Sequence, residues 1–225
     1  VIHRTGGWPR TRGATLLVLL VLAAAIAACG SGTSTPTGAG GSSSPTSSSG
    51  PASPAATTAD QAAAAAFATA LAPFRAAASF TTTITVGDQV VATSSGRSVG
   101  TSSQLTIISD SQSVEYIQVP PSAWARPSGG AWTLLTPDQA PGDPLEALAA
   151  PASIAAVTPG DLSHLSAVYP AASLGLTGDP VTVTVVIDGD SLTFRYETKV
   201  GVSPASSVTV LKPATSTDPI VAPKT

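Results

Sequence analysis

Three features of the sequence predict an α+β fold, with antiparallel strands dominant and helices grouped in insertions. The apolar period changes from helical to alternating after Ser79, the helix-forming insert DPLEAL then interrupts the strands, and two alternating runs near the C-terminus are separated by a Gly-Asp pair. Residues 58–225 have the size of a single domain, and a chain of that length buries about 70% of the surface its unfolded form exposes.

The first element is a helix. Thr58 can cap it, Gln61 stands three residues on as in a capping box, and Phe67, Leu71 and Phe74 fall on one stripe. Pro73 should break or kink it, because proline lacks the N–H that an interior turn requires. Phe80, Thr82, Ile84 and Val86 then alternate with Thr81, Thr83 and Thr85 in a half-buried strand that stops at Gly87-Asp88.

Further strands are expected near residues 90–93, 98–109, 113–119 and 131–135, separated by the turn-like stretches SSGR, SDSQ and PSGG. Asp143-Pro144-Leu145-Glu146 then has an N-cap, a proline at the first helical position and an acid at the third. Thr158-Pro159-Gly160-Asp161 reads as a second short helical start, with His164 on a short helix or loop after it.

The clearest sheet signal closes the chain: VTVTVVID, a two-residue Gly-Asp turn, SLTFRYETKV, and then SSVTVLK. Val181, Val183, Val185 and Ile187 share one side, and Leu192, Phe194 and Tyr196 can meet them across the hairpin.

Ahead of this domain stand two segments of different character. His3, Arg4, Arg10 and Arg12 precede the apolar run ATLLVLLVLAAAIAA, residues 14–28, in the charge order of a signal peptide. Fifteen apolar residues are short for a membrane span. Cys29 is the one cysteine of the chain and can close no internal disulfide. Residues 30–57 are almost entirely Ser, Gly, Thr, Pro and Ala, too poor in apolar surface to offset chain entropy, so a disordered linker is expected over 29–57. A flexible segment of that length reaches about 30 Å, and four prolines stiffen it.

Composition narrows the partners. The chain has no Met and no Asn, few Lys, and abundant Ala, Gly, Pro, Thr and Val, a bias that fits a GC-rich bacterial genome. Without residues 1–28, which carry Arg4, Arg10 and Arg12 and no acid, the 10 Lys and Arg fall to 7 against 13 Asp and Glu, a formal charge of −6. No nucleic-acid partner is expected, since such binding needs a basic face that displaces counterions.

Ile26-Ala27-Ala28-Cys29 resembles the bacterial lipobox. That resemblance implies diacylglycerol on the Cys29 thiol, cleavage before it, and a membrane anchor holding the protein at the outer face of the cytoplasmic membrane, in the cell envelope. Several acyl chains, at roughly 0.8 kcal/mol per buried methylene, hold a protein far better than one.

The order of lipobox, spacer, helix, VEYIQVPPSAWARPSGGAWTLL, DPLEAL, VTVTVVIDGDSLTFRYE and a closing DPIVAP resembles actinobacterial lipoproteins of the LppX/LprA/LprF/LprG group. The resemblance implies a LolA-like domain, a curved antiparallel half-barrel with helices covering its concave face, that binds an acyl lipid or lipoconjugate. It implies help in that lipid's transport or presentation, with an envelope transport protein as a further partner. The sequence departs from the group at HLSAVYPAASLGLTGDP, which keeps Tyr169 but is short, and that departure implies a smaller or missing cavity.

The residues expected on the sheet's inner face, as core or as cavity lining, are Ile84, Leu105, Ile107, Val183, Val185, Phe194 and Val208. An apolar cavity would shield acyl chains at about 25 cal/mol per Å² without any reactive side chain. Trp124 and Trp132 either pin a hairpin or stand at a ligand mouth or membrane interface. Asp188 and Asp190 look like hairpin-turn residues, because the acids and glycine of a calcium loop are not at the required spacing. No catalytic residues, metal or cofactor are expected: no Gly-x-Ser-x-Gly occurs, no phosphate loop appears, and Asp161, Ser163 and His164 stand too close in sequence for a triad built from separate elements. The alternative to a carrier is a non-enzymatic envelope scaffold with a solid core.

Overall fold

The computed structural model describes residues 58–136, 139–141 and 144–224. The leader, Cys29, the linker and the Asp143 cap lie outside the described residues. Helix α1 (Thr58–Leu71) leads through a 3-10 turn (Ala72–Arg75) into strands β1 (Ala77–Val86), β2 (Gln89–Val99), β3 (Ser102–Ser109), β4 (Gln112–Val119), β5 (Ser122–Pro127) and β6 (Thr133–Leu134). Helix α2 (Pro144–Ala149) is followed by β7 (Ser153–Ala156), β8 (His164–Tyr169), a 3-10 turn (Ala171–Leu174), β9 (Val181–Asp188), β10 (Ser191–Val200) and β11 (Ser203–Pro213).

All eleven strands belong to one sheet in the order β6-β5-β4-β3-β2-β1-β11-β10-β9-β8-β7. Every adjacent pair is antiparallel, so the sheet consists of two meanders joined where β1 meets β11. It is not closed into a barrel, and β6 and β7 form its edges. The expected α+β class with antiparallel strands dominant holds in this form, with few helices.

The expected helix ends where proline should break it. Pro73 falls in the 3-10 turn, and Ala63, Phe67, Leu71 and Phe74 are buried along one stripe. They join Phe80, Leu105, Leu165, Tyr169, Val183, Val185, Leu192, Phe194 and Leu211 in one apolar cluster. Phe67 meets Phe194 edge to face at 6.2 Å between ring centroids, fixing α1 over β10. Each large side chain buried there stabilises the fold by about 1.5–3 kcal/mol. The C-terminal hairpin has the expected register, pairing Leu192 with Ile187, Phe194 with Val185 and Tyr196 with Val183 around the turn at Gly189-Asp190.

Several expectations are corrected. SSGR is not a turn but the middle of β2, where Gly96 runs beneath Phe80: an added Cβ would come within 2.7 Å of Cζ of Phe80 and 2.3 Å of the Gln104 carbonyl oxygen. The strand expected over 98–109 is interrupted at Gly100, whose φ of +58° suits a turn. Thr158-Pro159-Gly160-Asp161 forms a turn closed by Asp161 N–H donating to the Thr158 carbonyl, and His164 opens strand β8. Strands β5, β7 and β8 were not expected. SIAA and HLSAVY in the last two contain too much Ala and Ser to resemble strands by composition, although burial along β8 alternates at Leu165, Ala167 and Tyr169.

Candidate ligand-binding face

Strand register defines an inner face across the sheet. One row runs Val185, Phe194, Thr209, Thr82, Ser94, Ile107 and Val114, and a second runs Leu192, Leu211, Phe80, Gly96, Leu105 and Tyr116. Ile84 pairs with Ser207, which pairs with Tyr196 and thence Val183, in a third. Six of the seven expected inner residues, Ile84, Leu105, Ile107, Val183, Val185 and Phe194, therefore share this face.

Val208 does not. It pairs with Thr83 and Arg195, whose side chains belong to the opposite face, so its expected place in a cavity lining is corrected. The inward residues of β11 are Ala205, Ser207, Thr209 and Leu211, all buried. Thr209 is accommodated because its hydroxyl bonds that of Thr82 at 2.9 Å, which satisfies both polar groups inside the sheet's face.

The six are not equivalent. Val183 and Val185 have 0% exposure and Phe194 has 1%. A side chain without accessible surface has no water-sized space beside it, so these residues are packed core beneath α1. Leu105 is buried at the edge of the same cluster. Ile84 and Ile107 are only half-buried, as are Val114 and Tyr116 beside them on β4. Burial raises the Tyr116 phenol above its ordinary pKa, which marks a poorly hydrated environment on this side. The inner face thus has a closed part over β8–β11 and a less covered part over β2–β5.

The clefts among the described residues include three with the following linings. A largely apolar one of about 210 Å³ follows the seam between α1 and the β9–β10 turn, touching Ala70, Phe74, Ile187 and Leu192. It shares Thr69, Ala70, Ile187 and Gly189 with an open furrow of about 620 Å³ along the exposed alanines of α1. The third, about 700 Å³, is a polar furrow by Arg195, Glu197, Lys199 and Ser206.

The two tryptophans sit away from the inner face. Trp124 pairs with Ile117 and Leu134 on the outer face. The Arg126 guanidinium lies 4.5 Å from the ring centroid of Trp132 and donates to Glu115 at 2.6 Å, so the second tryptophan anchors its own hairpin. Tyr169, on the inner face beside Val181, is buried and donates its hydroxyl to the Leu148 carbonyl at 2.7 Å, docking α2 against β8. Burial raises its phenol pKa strongly.

Asp161, Ser163 and His164 do come together. Ser163 Oγ lies 2.5 Å from Asp161 Oδ1, and His164 Nδ1 lies 3.0 Å from both Ser163 Oγ and Asp161 Oδ2. One imidazole nitrogen faces both partners, whereas a Ser-His-Asp relay uses a different nitrogen for each. The cluster is exposed, and bonds from the Ser163 hydroxyl and N–H, followed by His164, lower the Asp161 pKa to about 2. Its geometry caps the β7–β8 turn. Asp188 ends β9 and Asp190 lies in the β9–β10 turn, as expected of hairpin residues. Among the described residues, no group of three or more His, Cys, Asp or Glu could hold a metal ion, and no helix is long and apolar enough to cross a membrane.

No family model matches the chain, and no curated protein matches it. Among solved structures, a DUF1329 family protein from Desulfovibrio piger aligns at a TM-score of 0.31 and 9% identity, over 69% of this chain and 91% of that one. A likeness this weak carries no functional argument.

Proposed function

We propose that the protein is an envelope lipoprotein of the LppX/LprG type, anchored to the membrane through acylated Cys29, with a LolA-like half-barrel that holds an acyl lipid or lipoconjugate for transport or presentation. The ligand lies on the concave side of the sheet, which α1 covers over β8–β11 and leaves less covered over β2–β5. The observation that carries this reading is the change along one face from zero exposure at Val183 and Val185 to half-burial at Ile84, Ile107, Val114 and Tyr116. Apolar side chains in that state gain about 25 cal/mol per Å² when an acyl chain completes their burial. An envelope transport protein is the partner that would load or unload it.

The solid packing of Val183, Val185 and Phe194 favours a second reading, a non-enzymatic scaffold that acts through its outer surface. Native mass spectrometry with lipid extraction on the full chain, expressed in a high-GC host, separates the two. A stoichiometric acyl lipid that is lost in Ile107→Glu and kept in Val208→Glu supports the carrier. A chain that carries only its own anchor, and takes up no envelope lipid on incubation, supports the scaffold.

A further inference from the structure

The two apolar clefts beside α1 form one groove, because they share Thr69, Ala70, Ile187 and Gly189. Along it Ala66, Ala70 and Ile187 are half-buried, while Ala62, Ala65 and Leu162 are exposed. Leu162 has 39% exposure, so a large apolar side chain stands at the groove with open space beside it. Thr69 carries the one side-chain hydroxyl of the open furrow, and it donates to the Ala65 carbonyl at 2.8 Å, so its proton is satisfied within the helix. From Gln61 to Phe74 the helix and its 3-10 turn contain no charged residue. A helix that is apolar all round is normally covered on every side, by protein or by lipid. The sheet covers one side of α1 and leaves this one open.

We propose that this groove is a membrane-docking face, by which the domain rests on the neutral surface of the bilayer to which Cys29 ties it. This rests on the anchored-lipoprotein reading above. The chain from Cys29 enters the domain at Thr58, the first residue of α1, and residues 30–57 have by composition a reach of about 30 Å. A helix of 14 residues is about 21 Å long, so the whole groove lies within reach of the bilayer. Asp161 next to Leu162 and Asp190 in the lining of the smaller cleft make the rim negative, which suits zwitterionic headgroups and opposes anionic ones. α1 lies on the inner side of the sheet, so a bilayer against it is also the surface from which the less covered part over β2–β5 would take its lipid.

The test uses the full chain, expressed in a high-GC host and reconstituted into phosphatidylcholine vesicles that contain a doxyl-labelled phosphatidylcholine as quencher. Leu162→Trp places a fluorophore at the groove, and Ile108→Trp, at an exposed position on the outer face of β3, is the control. After subtraction of the wild-type signal, the fluorescence of Leu162→Trp should be quenched severalfold more than that of Ile108→Trp. Adding Ala65→Glu, a change to a good helix former at an exposed position, should remove that difference while the protein still floats with the vesicles. Exchanging half of the lipid for phosphatidylglycerol should reduce the difference, and a larger one there would overturn the neutral-surface assignment. Equal quenching at the two positions, or a difference that survives Ala65→Glu, would overturn the docking face and leave the anchor standing. A wild type that does not float with the vesicles would overturn the anchor and the docking face together.

Discussion

The two meanders form one sheet, yet they treat its inner face differently. Over β8–β11 the inward residues Leu165, Val183, Val185, Leu192 and Phe194 have at most 1% exposure beneath Phe67 and Leu71 of α1, while Val181, Ile187 and Tyr196 are half-buried. Over β2–β5 the inward residues include buried Leu105 and half-buried Ile107, Val114 and Tyr116, with the small Ser94, Gly96, Ser98 and Ser103 among them. The first part consumes its apolar surface in stability. The second leaves apolar surface partly uncovered at Ile107, Val114 and Tyr116.

The comparison is broken most severely in the closed part. Phe194→Ala removes the ring that meets Phe67 and should cost about 3–5 kcal/mol in chemical denaturation. The matching change in the other part, Ile107→Ala, should cost about 1 kcal/mol, because the residue is only half-buried. Equal losses would mean that the two parts are packed alike.

The junction is sensitive for a different reason. Gly96→Ala places a methyl against the Gln104 carbonyl and the Phe80 ring, and should destabilise by about 1–3 kcal/mol through overpacking. A neutral result in thermal melting would show that Phe80 does not lie over β2 as described. Tyr169→Phe is smaller again: it deletes the bond to the Leu148 carbonyl and should cost about 0.5–1.5 kcal/mol, with faster amide exchange confined to α2.

The smallest expected effect is electrostatic. Asp161 has its carboxyl pKa lowered, so its contribution is present above the ordinary value of 3.8 and is lost as pH falls towards about 2. Asp161→Asn should therefore be slightly less stable at neutral pH, and that deficit should shrink as pH falls from about 3.8 to about 2. A deficit that persists unchanged down to pH 2 would contradict that assignment.

Much of the closed part was legible in the sequence. VTVTVVID and SLTFRYETKV alternate strongly enough to fix both faces, and the Phe67, Leu71 and Phe74 stripe points to the face that α1 buries. The other part was harder because its inward positions are small or polar. SSGR reads as a turn by composition, yet Gly96 is there to admit Phe80. β5 lies between prolines that suggest a loop, and β7 and β8 contain alanine and serine where strands usually carry branched residues. Val208 was misplaced for a related reason. In β11 the valines face outward while Ser207 and Thr209 face in, an inversion that the Thr82–Thr209 hydroxyl pair makes tolerable and that apolarity alone does not signal.

The most direct test of the ligand-site proposal is hydrogen–deuterium exchange on the full chain, with and without a saturating acyl lipid. The account predicts added protection in β3 and β4, centred on Ile107, Val114 and Tyr116, with β9 and β10 unchanged because Val185 and Phe194 are already sealed. Protection confined to the outer face, or none in β3 and β4, would contradict it.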